Sequence, residues 1–221
     1  NMDSAPAALF NSFYYHLLAH GFRDDLPRDY WPSGSARWTL VVKTLMAQPD
    51  SFWWDDKTTT AKVETFDDIL HLAFADAVSE LETRFGKDSS KWSWGDMHTL
   101  TLTNTTLGDS ASPNFIRDLF NRGPFRTSGG EIIVNATGWD ASLEIPTAYT
   151  VASYPSERAI YDLSNFNNSI AIHTTGESGH AYHPHYADMT PLWANIKYYP
   201  MWWNQESVIN DAEGHLVLNP K

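Results

Sequence analysis

The chain has 221 residues, no cysteine and a formal net charge of −12. Acidic surfaces repel phosphate backbones, which argues against a nucleic-acid partner; the lack of thiols excludes disulfides and thiolate chemistry; no stretch approaches the ~20 apolar residues of a membrane helix. With 42% hydrophobic and 19% charged residues, the sequence reads as globular, sized for one large domain or two small ones.

The first 90 residues read as helical. From about Ala7 to His20, the residues Leu9, Phe10, Phe13, Tyr14, Leu17 and Leu18 recur at helical spacing, and Gly21 is placed to end the helix. Pro27, Pro32 and Ser33-Gly34-Ser35 make a loop. A second helix is predicted from Ala36 to Met46, with Trp38, Val41, Val42 and Leu45 apolar; Trp53-Trp54-Asp55-Asp56 then reads as a connector. The strongest helical pattern starts after Thr65, an N-cap with Asp68 three residues on, and runs through Phe66, Ile69, Leu70, Ala73, Ala77, Leu81 and Phe85 to a Gly86 cap. Asp67, Asp76, Glu80 and Arg84 fall largely off that stripe. Ser112-Pro113 reads as the start of a short helix carrying Phe115, Ile116, Leu119 and Phe120.

From residue 91 to 221 the pattern turns toward strands. Leu100 to Thr103 alternates with period two, and Glu131–Asn135, Tyr149–Tyr154, Arg158–Leu163 and Ser169–His173 are further candidates. The asparagine-rich stretch 165–168 is suited to turn the chain between the last two. The expected fold class is α+β, with helices first and a mainly antiparallel sheet after them.

Chemistry concentrates in one segment, from Gly176 to Asp188, which holds Glu177, Ser178, His180, His183 and His185. Gly176-x-Ser178-Gly179 approaches a serine-hydrolase elbow, but His180 sits where the last glycine belongs. His180, His183 and His185 with Glu177 and Asp188 are a zinc-type donor set, yet the spacing is not His-Glu-x-x-His and Pro184 opposes a helical display. Imidazoles locking an irregular loop by hydrogen bonds explain the same residues. Glu177, flanked by glycine and serine, is the acid best placed for an exposed functional role, while Asp188 is placed to cap a helix carrying Leu192 and Trp193. The ten tryptophans suit either a large core and interfaces or an aromatic surface for sugars.

The motifs also carry a resemblance. Gly176-Glu177-Ser178-Gly179, then Pro184-His185-Tyr186-Ala187-Asp188, Leu192-Trp193 and Tyr199-Pro200-Met201 resemble the C-terminal signature of the penicillin acylase (penicillin amidase) family of N-terminal-nucleophile hydrolases. Upstream, Trp92-x-Trp94-Gly95-x-x-His98, Phe120-Asn121-Arg122-Gly123-Pro124, Gly129-Gly130, Val134-Asn135-Ala136 and Ser156-Glu157-Arg158 through Leu163 are similar to further family segments, in family order. Met189, His183 and Asn104-Thr105-Thr106-Leu107-Gly108 depart from the usual residues.

The resemblance implies strands that contribute to a four-layer αββα sandwich and a periplasmic or secreted setting. It implies a self-cleaving precursor whose large chain begins with the nucleophile, its own amino group serving as base, and supplies an oxyanion-hole asparagine. This sequence matches the last part of that large chain, and Asn1 before Met2 reads as the start of an excised piece. The nucleophile, that asparagine and a calcium site are expected in earlier segments, so no cofactor or metal is expected in this piece, and inactivity of the piece alone follows. The expected partners are the remainder of its own precursor, namely the small chain and the N-terminal part of the large chain, with a small N-acyl substrate in the complete enzyme. Glu177 is the candidate for a supporting catalytic role. Two other readings stay open: a non-catalytic aromatic-rich binding module, and a zinc hydrolase using His180, His183 and His185.

Overall fold

A computed structural model describes residues 1–59 and 61–220. Contacts group them into two units that divide between Pro155 and Ser156. The architecture is α+β, as expected: helices dominate, and the strands form two small antiparallel sheets.

In the first unit, Ser4 caps α1 (Ala5–Phe22) by accepting a hydrogen bond from the Ala7 amide at 3.2 Å, and Pro6 sits in the first turn where no amide is needed. The helix does not stop at Gly21. A Cβ there would lie 3.2 Å from the Trp54 ring, so this glycine serves close packing rather than termination. Trp54, read as part of a connector, is fully buried (0% exposed) and packs with tilted rings against Phe22 and Phe66. α2 (Ala36–Leu45) forms as predicted but buries only Val42 fully.

The capping box of α3 (Phe66–Phe85) is complete: the Thr65 amide donates to Asp68 at 3.0 Å, and the Asp68 amide reaches the Thr65 hydroxyl at 3.5 Å. Gly86 follows at φ +86°, where a side chain would be strained. α1 packs along α3, and Tyr15, Leu17, Leu18, Ile69, Ala73 and Leu81 build the core between them. Glu80 lies inside, not off the stripe; its side chain is only 12% exposed because it accepts from Ser12 at 2.7 Å and Tyr149 at 2.8 Å.

The short α4 (Trp94–Met97) leads into β1 (Thr99–Leu102), which pairs antiparallel with β2 (Arg122–Arg126). Leu100 and Leu102 point inward, in line with the predicted alternation. Between them, α5 (Asn114–Phe120) begins one residue later than expected, with Pro113 in the cap position and extended at ψ 147°. Two predicted strands do not form. Residues 131–135 make a loop closed by the Gly130 amide on the Asn135 carbonyl at 3.2 Å, leaving Ile132, Ile133 and Val134 exposed. Residues 149–154 follow a 3-10 turn and make a single bridge, Ser153 to Gly138, so no ladder develops.

In the second unit, β3 (Glu157–Ile160) and β4 (Ile170–His173) form the predicted hairpin, and β5 (Tyr199–Pro200) adds beside β4. The Asn165 side chain accepts from the Asn167 amide at 3.1 Å, which is the asparagine turn anticipated from sequence. α6 (Thr190–Ala194) carries Leu192 and Trp193, with Trp193 fully buried, and α7 (Gln205–Asp211) is capped by Asn204.

Half of the ten tryptophans are buried. Trp54, Trp92, Trp94, Trp139 and Trp193 are buried. Among the described residues no helix is long and apolar enough to cross a membrane.

Candidate functional site

The glycine- and histidine-rich segment 174–190 is a closed surface loop. The Met189 amide returns to the Thr175 carbonyl at 3.1 Å, and the Thr190 hydroxyl donates to the Thr174 carbonyl at 2.7 Å, pinning both ends. Within the loop the Ser178 amide reaches the His185 carbonyl at 3.0 Å. Gly176 passes so near that carbonyl and Asp188 that a Cβ would collide with both. The glycine is required for close approach, not for flexibility.

His185 is the hub. Its Nδ1 lies 2.7 Å from Asp188 Oδ2 and its Nε2 lies 3.1 Å from Glu213. The bond to Asp188 first, then Glu213, raises its pKa above the ordinary imidazole value. Asp188 therefore does not cap α6; Met189 occupies that position with no side-chain bond, because the carboxylate is committed to His185. His180 and His183 each turn Nδ1 onto a backbone amide two residues ahead, Tyr182 at 3.3 Å and His185 at 3.2 Å. Rings used this way lock a turn. The three histidines do not converge as metal ligands among the described residues.

Glu177 is exposed, and no hydrogen bond or ion pair to it occurs among the described residues. Ser178 is half-buried; its hydroxyl accepts from the His180 amide at 3.2 Å, and no imidazole nitrogen bonds to it among the described residues. The loop thus brings Ser178, His185 and Asp188 into one structure but not into a nucleophile–base–orienter chain.

Other motif residues tie segments together. Arg158 stacks 4.0 Å over the Trp193 ring and donates to the Trp193 carbonyl at 2.6 Å, joining β3 to α6. Asn121 accepts from the Asn104 amide at 2.9 Å and donates to the Gly108 carbonyl at 2.9 Å, holding the 104–108 loop shut.

The first unit holds a second constellation, around His98. This ring is fully buried and stacks 4.5 Å from the Trp94 ring. Its Nδ1 donates to the Tyr149 carbonyl at 2.7 Å, since a carbonyl can only accept. That fixes the tautomer with Nε2 bare, facing the Thr137 hydroxyl at 3.0 Å. Burial pushes the His98 pKa down to about 4. The Thr137 hydroxyl also has the Ser128 carbonyl as acceptor at 2.8 Å, so its one proton is not reserved for the imidazole, and both residues are 0% exposed, so no substrate reaches them. Next door, Tyr149 is pushed up, first by burial and then by the Glu80 charge. Burial alone would raise Glu80; donors from His16, Ser12 and Tyr149 outweigh it and hold the carboxyl below its ordinary range.

Beside this network lies a cavity of about 400 Å³ with largely apolar walls, lined by Phe10, Tyr14, Trp94, Ile132, Ile133 and Trp139, with Asn1, Asn11 and Glu131 at its polar points. Glu131 is raised in pKa, by burial first and by Asp140 second. Asn1 offers neither a hydroxyl nor a thiol. Sequence reasoning also passed over His16 and His20, which face Glu80 and Asp76 across the α1–α3 contact. The available signal was a His-x-x-x-His step in one helix opposite an acid-x-x-x-acid step in another.

The chain is 28% identical to an acyl-homoserine lactone acylase, QuiP, of Pseudomonas aeruginosa over 217 residues, covering 89% of this chain and 24% of that protein. It is similarly 28% identical to the QuiP of Pseudomonas fluorescens, covering 88% of this chain and 23% of the relative. It is 24% identical to penicillin acylase 2 proenzyme of a Pseudomonas species, covering 92% of this chain and 23% of that one. The chain therefore spans about a quarter of the length of the curated relatives it matches. The family model described as penicillin amidase matches residues 1–210, nearly the whole chain, and the chain belongs to the penicillin amidase family.

Proposed function

We propose that this chain is the C-terminal scaffold of the large chain of an amide hydrolase that cleaves N-acyl amines, acyl-homoserine lactones foremost, by an N-terminal nucleophile carried elsewhere in the protein. The supporting observation is the family match across residues 1–210 together with relatives, named as acylases of that substrate, of which this chain spans about a quarter. On this reading the chain alone does not hydrolyse amides. Its buried hydroxyl–imidazole contact, Thr137 to His98, is closed to substrate, and its exposed acid, Glu177, has neither nucleophile nor base beside it among the described residues. The strands of the two small sheets are then pieces of the αββα sandwich, completed by the remainder of the precursor.

The partners on this reading are the small chain and the preceding part of the large chain. Exposed apolar side chains on separate elements support it, among them Leu40 (65% exposed) on α2, Phe115 (72%) on α5 and Val134 (105%) in the closed loop. Glu177 takes a supporting role, orienting a group near the nucleophile across that interface. Calcium, on the same reading, belongs to earlier segments.

The test is hydrolysis of an N-acyl-homoserine lactone, followed by release of the free amine. The 221-residue chain alone gives no turnover; a longer protein that includes the preceding segments does. Glu177→Gln in the longer protein lowers kcat and leaves its thermal midpoint unchanged. An unchanged kcat removes Glu177 from the site and makes the loop purely architectural.

A further inference from the structure

We propose that His16, His20 and Asp76 form a zinc site that clamps α1 to α3, distinct from the amidase reading and independent of it. His16 and His20 stand one turn apart on α1 and so share a face; Asp76 and Glu80 do the same on α3. The two rows meet. His20 Nε2 lies 2.8 Å from Asp76 Oδ2 and His16 Nε2 lies 3.2 Å from Glu80 Oε2. One ligand atom from each of His16, His20 and Asp76 falls within 4.8 Å of the other two. Ligands on a tetrahedral zinc, with bonds of about 2.0–2.1 Å, sit roughly 3.3 Å apart. Asp76, whose side chain is 51% exposed, is the ligand with most room to adjust around the ion.

A second feature favours a metal over simple pairing. His20 Nδ1 faces Asp56 Oδ2 at 3.5 Å, and Asp56 is itself held by the Thr58 amide at 3.0 Å and hydroxyl at 2.6 Å. A carboxylate behind the ring accepts a hydrogen bond from Nδ1–H and so leaves the Nε2 lone pair for the cluster, which is the usual outer support of a metal-bound histidine. Glu80 Oε2 also holds His16 at 3.2 Å, so His16 ligates through Nδ1 or by releasing Glu80, which keeps Ser12 and Tyr149 on its inner side, and water completes the fourth position. Two imidazoles and one carboxylate suit zinc; calcium and magnesium require more oxygens. With three protein ligands from two helices, the ion acts as a cross-link that binds the folded state only.

The experiment titrates zinc chloride into the chelator-stripped 221-residue chain near neutral pH. One zinc per chain is expected, and at about a hundredfold excess over Kd the thermal midpoint rises by roughly 5–10 °C. Magnesium chloride produces no shift. Asp76→Asn and His20→Ala each abolish the one-to-one uptake, Asp56→Asn weakens it about 10- to 100-fold, and the double variant His183→Ala/His185→Ala binds as the parent does. If a helix variant does not fold, the ring signals of His16 and His20 in the parent report instead, moving on zinc addition while those of His183 and His185 stay put. No zinc-dependent shift in the parent, uptake undiminished by Asp76→Asn, or uptake lost with His183 and His185 overturns the proposal.

Discussion

His98 in the first unit and His185 in the second both belong to family motifs, yet their surroundings drive them in opposite directions. His98 is sealed beneath Trp94 with its tautomer fixed by a backbone carbonyl, and burial holds it neutral down to about pH 4. His185 sits at the surface between two carboxylates, and those partners favour its charged form. The same residue type is a packing element in one unit and an ionic hub in the other. A motif histidine therefore reports the environment a fold builds around it, and among the described residues neither sits in a bond with an accessible nucleophile.

The largest effect expected from this contrast is in the aromatic core. Trp94→Ala removes a fully buried ring that stacks on His98 and donates to the Gly129 carbonyl at 2.9 Å, and should cost about 3–5 kcal/mol in urea unfolding. Trp203→Ala in the second unit, at 73% exposure, should fall within about 0.5 kcal/mol of the parent. Comparable losses from the two would erase the distinction.

Next is acid sensitivity. His98 is neutral in the folded chain and gains a proton when the chain unfolds below its ordinary value of 6.5. Its depressed pKa thus contributes stability above pH 6.5 that is lost as pH falls to about 4, a change of roughly 3 kcal/mol. A folded His98→Asn variant should lack that portion of the acid limb; an unaltered limb would assign it to other groups. A smaller effect, about 1 kcal/mol, is expected for Thr65→Ala, which opens one half of the α3 capping box.

The smallest effect is local. His185 should titrate above 6.5 by NMR, and Asp188→Asn should bring it down. Because its folded pKa is raised, its contribution to loop order is complete below 6.5 and fades as pH rises through the raised value. Hydrogen exchange at the Ser178 and Met189 amides should quicken along that course, while amides in α3 remain protected.

What could be read from the sequence follows the range of the forces. The capping box, the stripe of α3 and the asparagine turn between β3 and β4 rest on neighbours within a few residues, and each forms where the spacing places it. The strand expected over Glu131–Asn135 does not form, because the β-branched residues 132–134 need a partner strand and Asn135 closes the segment on Ser128 instead. Glu80 looks like a solvent-facing acid until Tyr149, 69 residues away, arrives as a donor. Gly21 looks like a terminator until Trp54 packs on it. In the candidate site, the turn-locking role of His180 and His183 was among the sequence readings, but the Asp188–His185–Glu213 chain was not, since Glu213 lies 28 residues beyond the ring it binds. The pairing of His16 and His20 with Asp76 and Glu80 spans about 60 residues and exists only once α1 lies on α3.

The account turns on the chain being scaffold for a bond-breaking centre supplied by other segments. Turnover of an N-acyl-homoserine lactone, measured side by side for the 221-residue chain and for a longer protein containing it, tests this most directly. The account predicts amine release from the longer protein and none from the chain alone. Release by the chain alone at a comparable rate would contradict it.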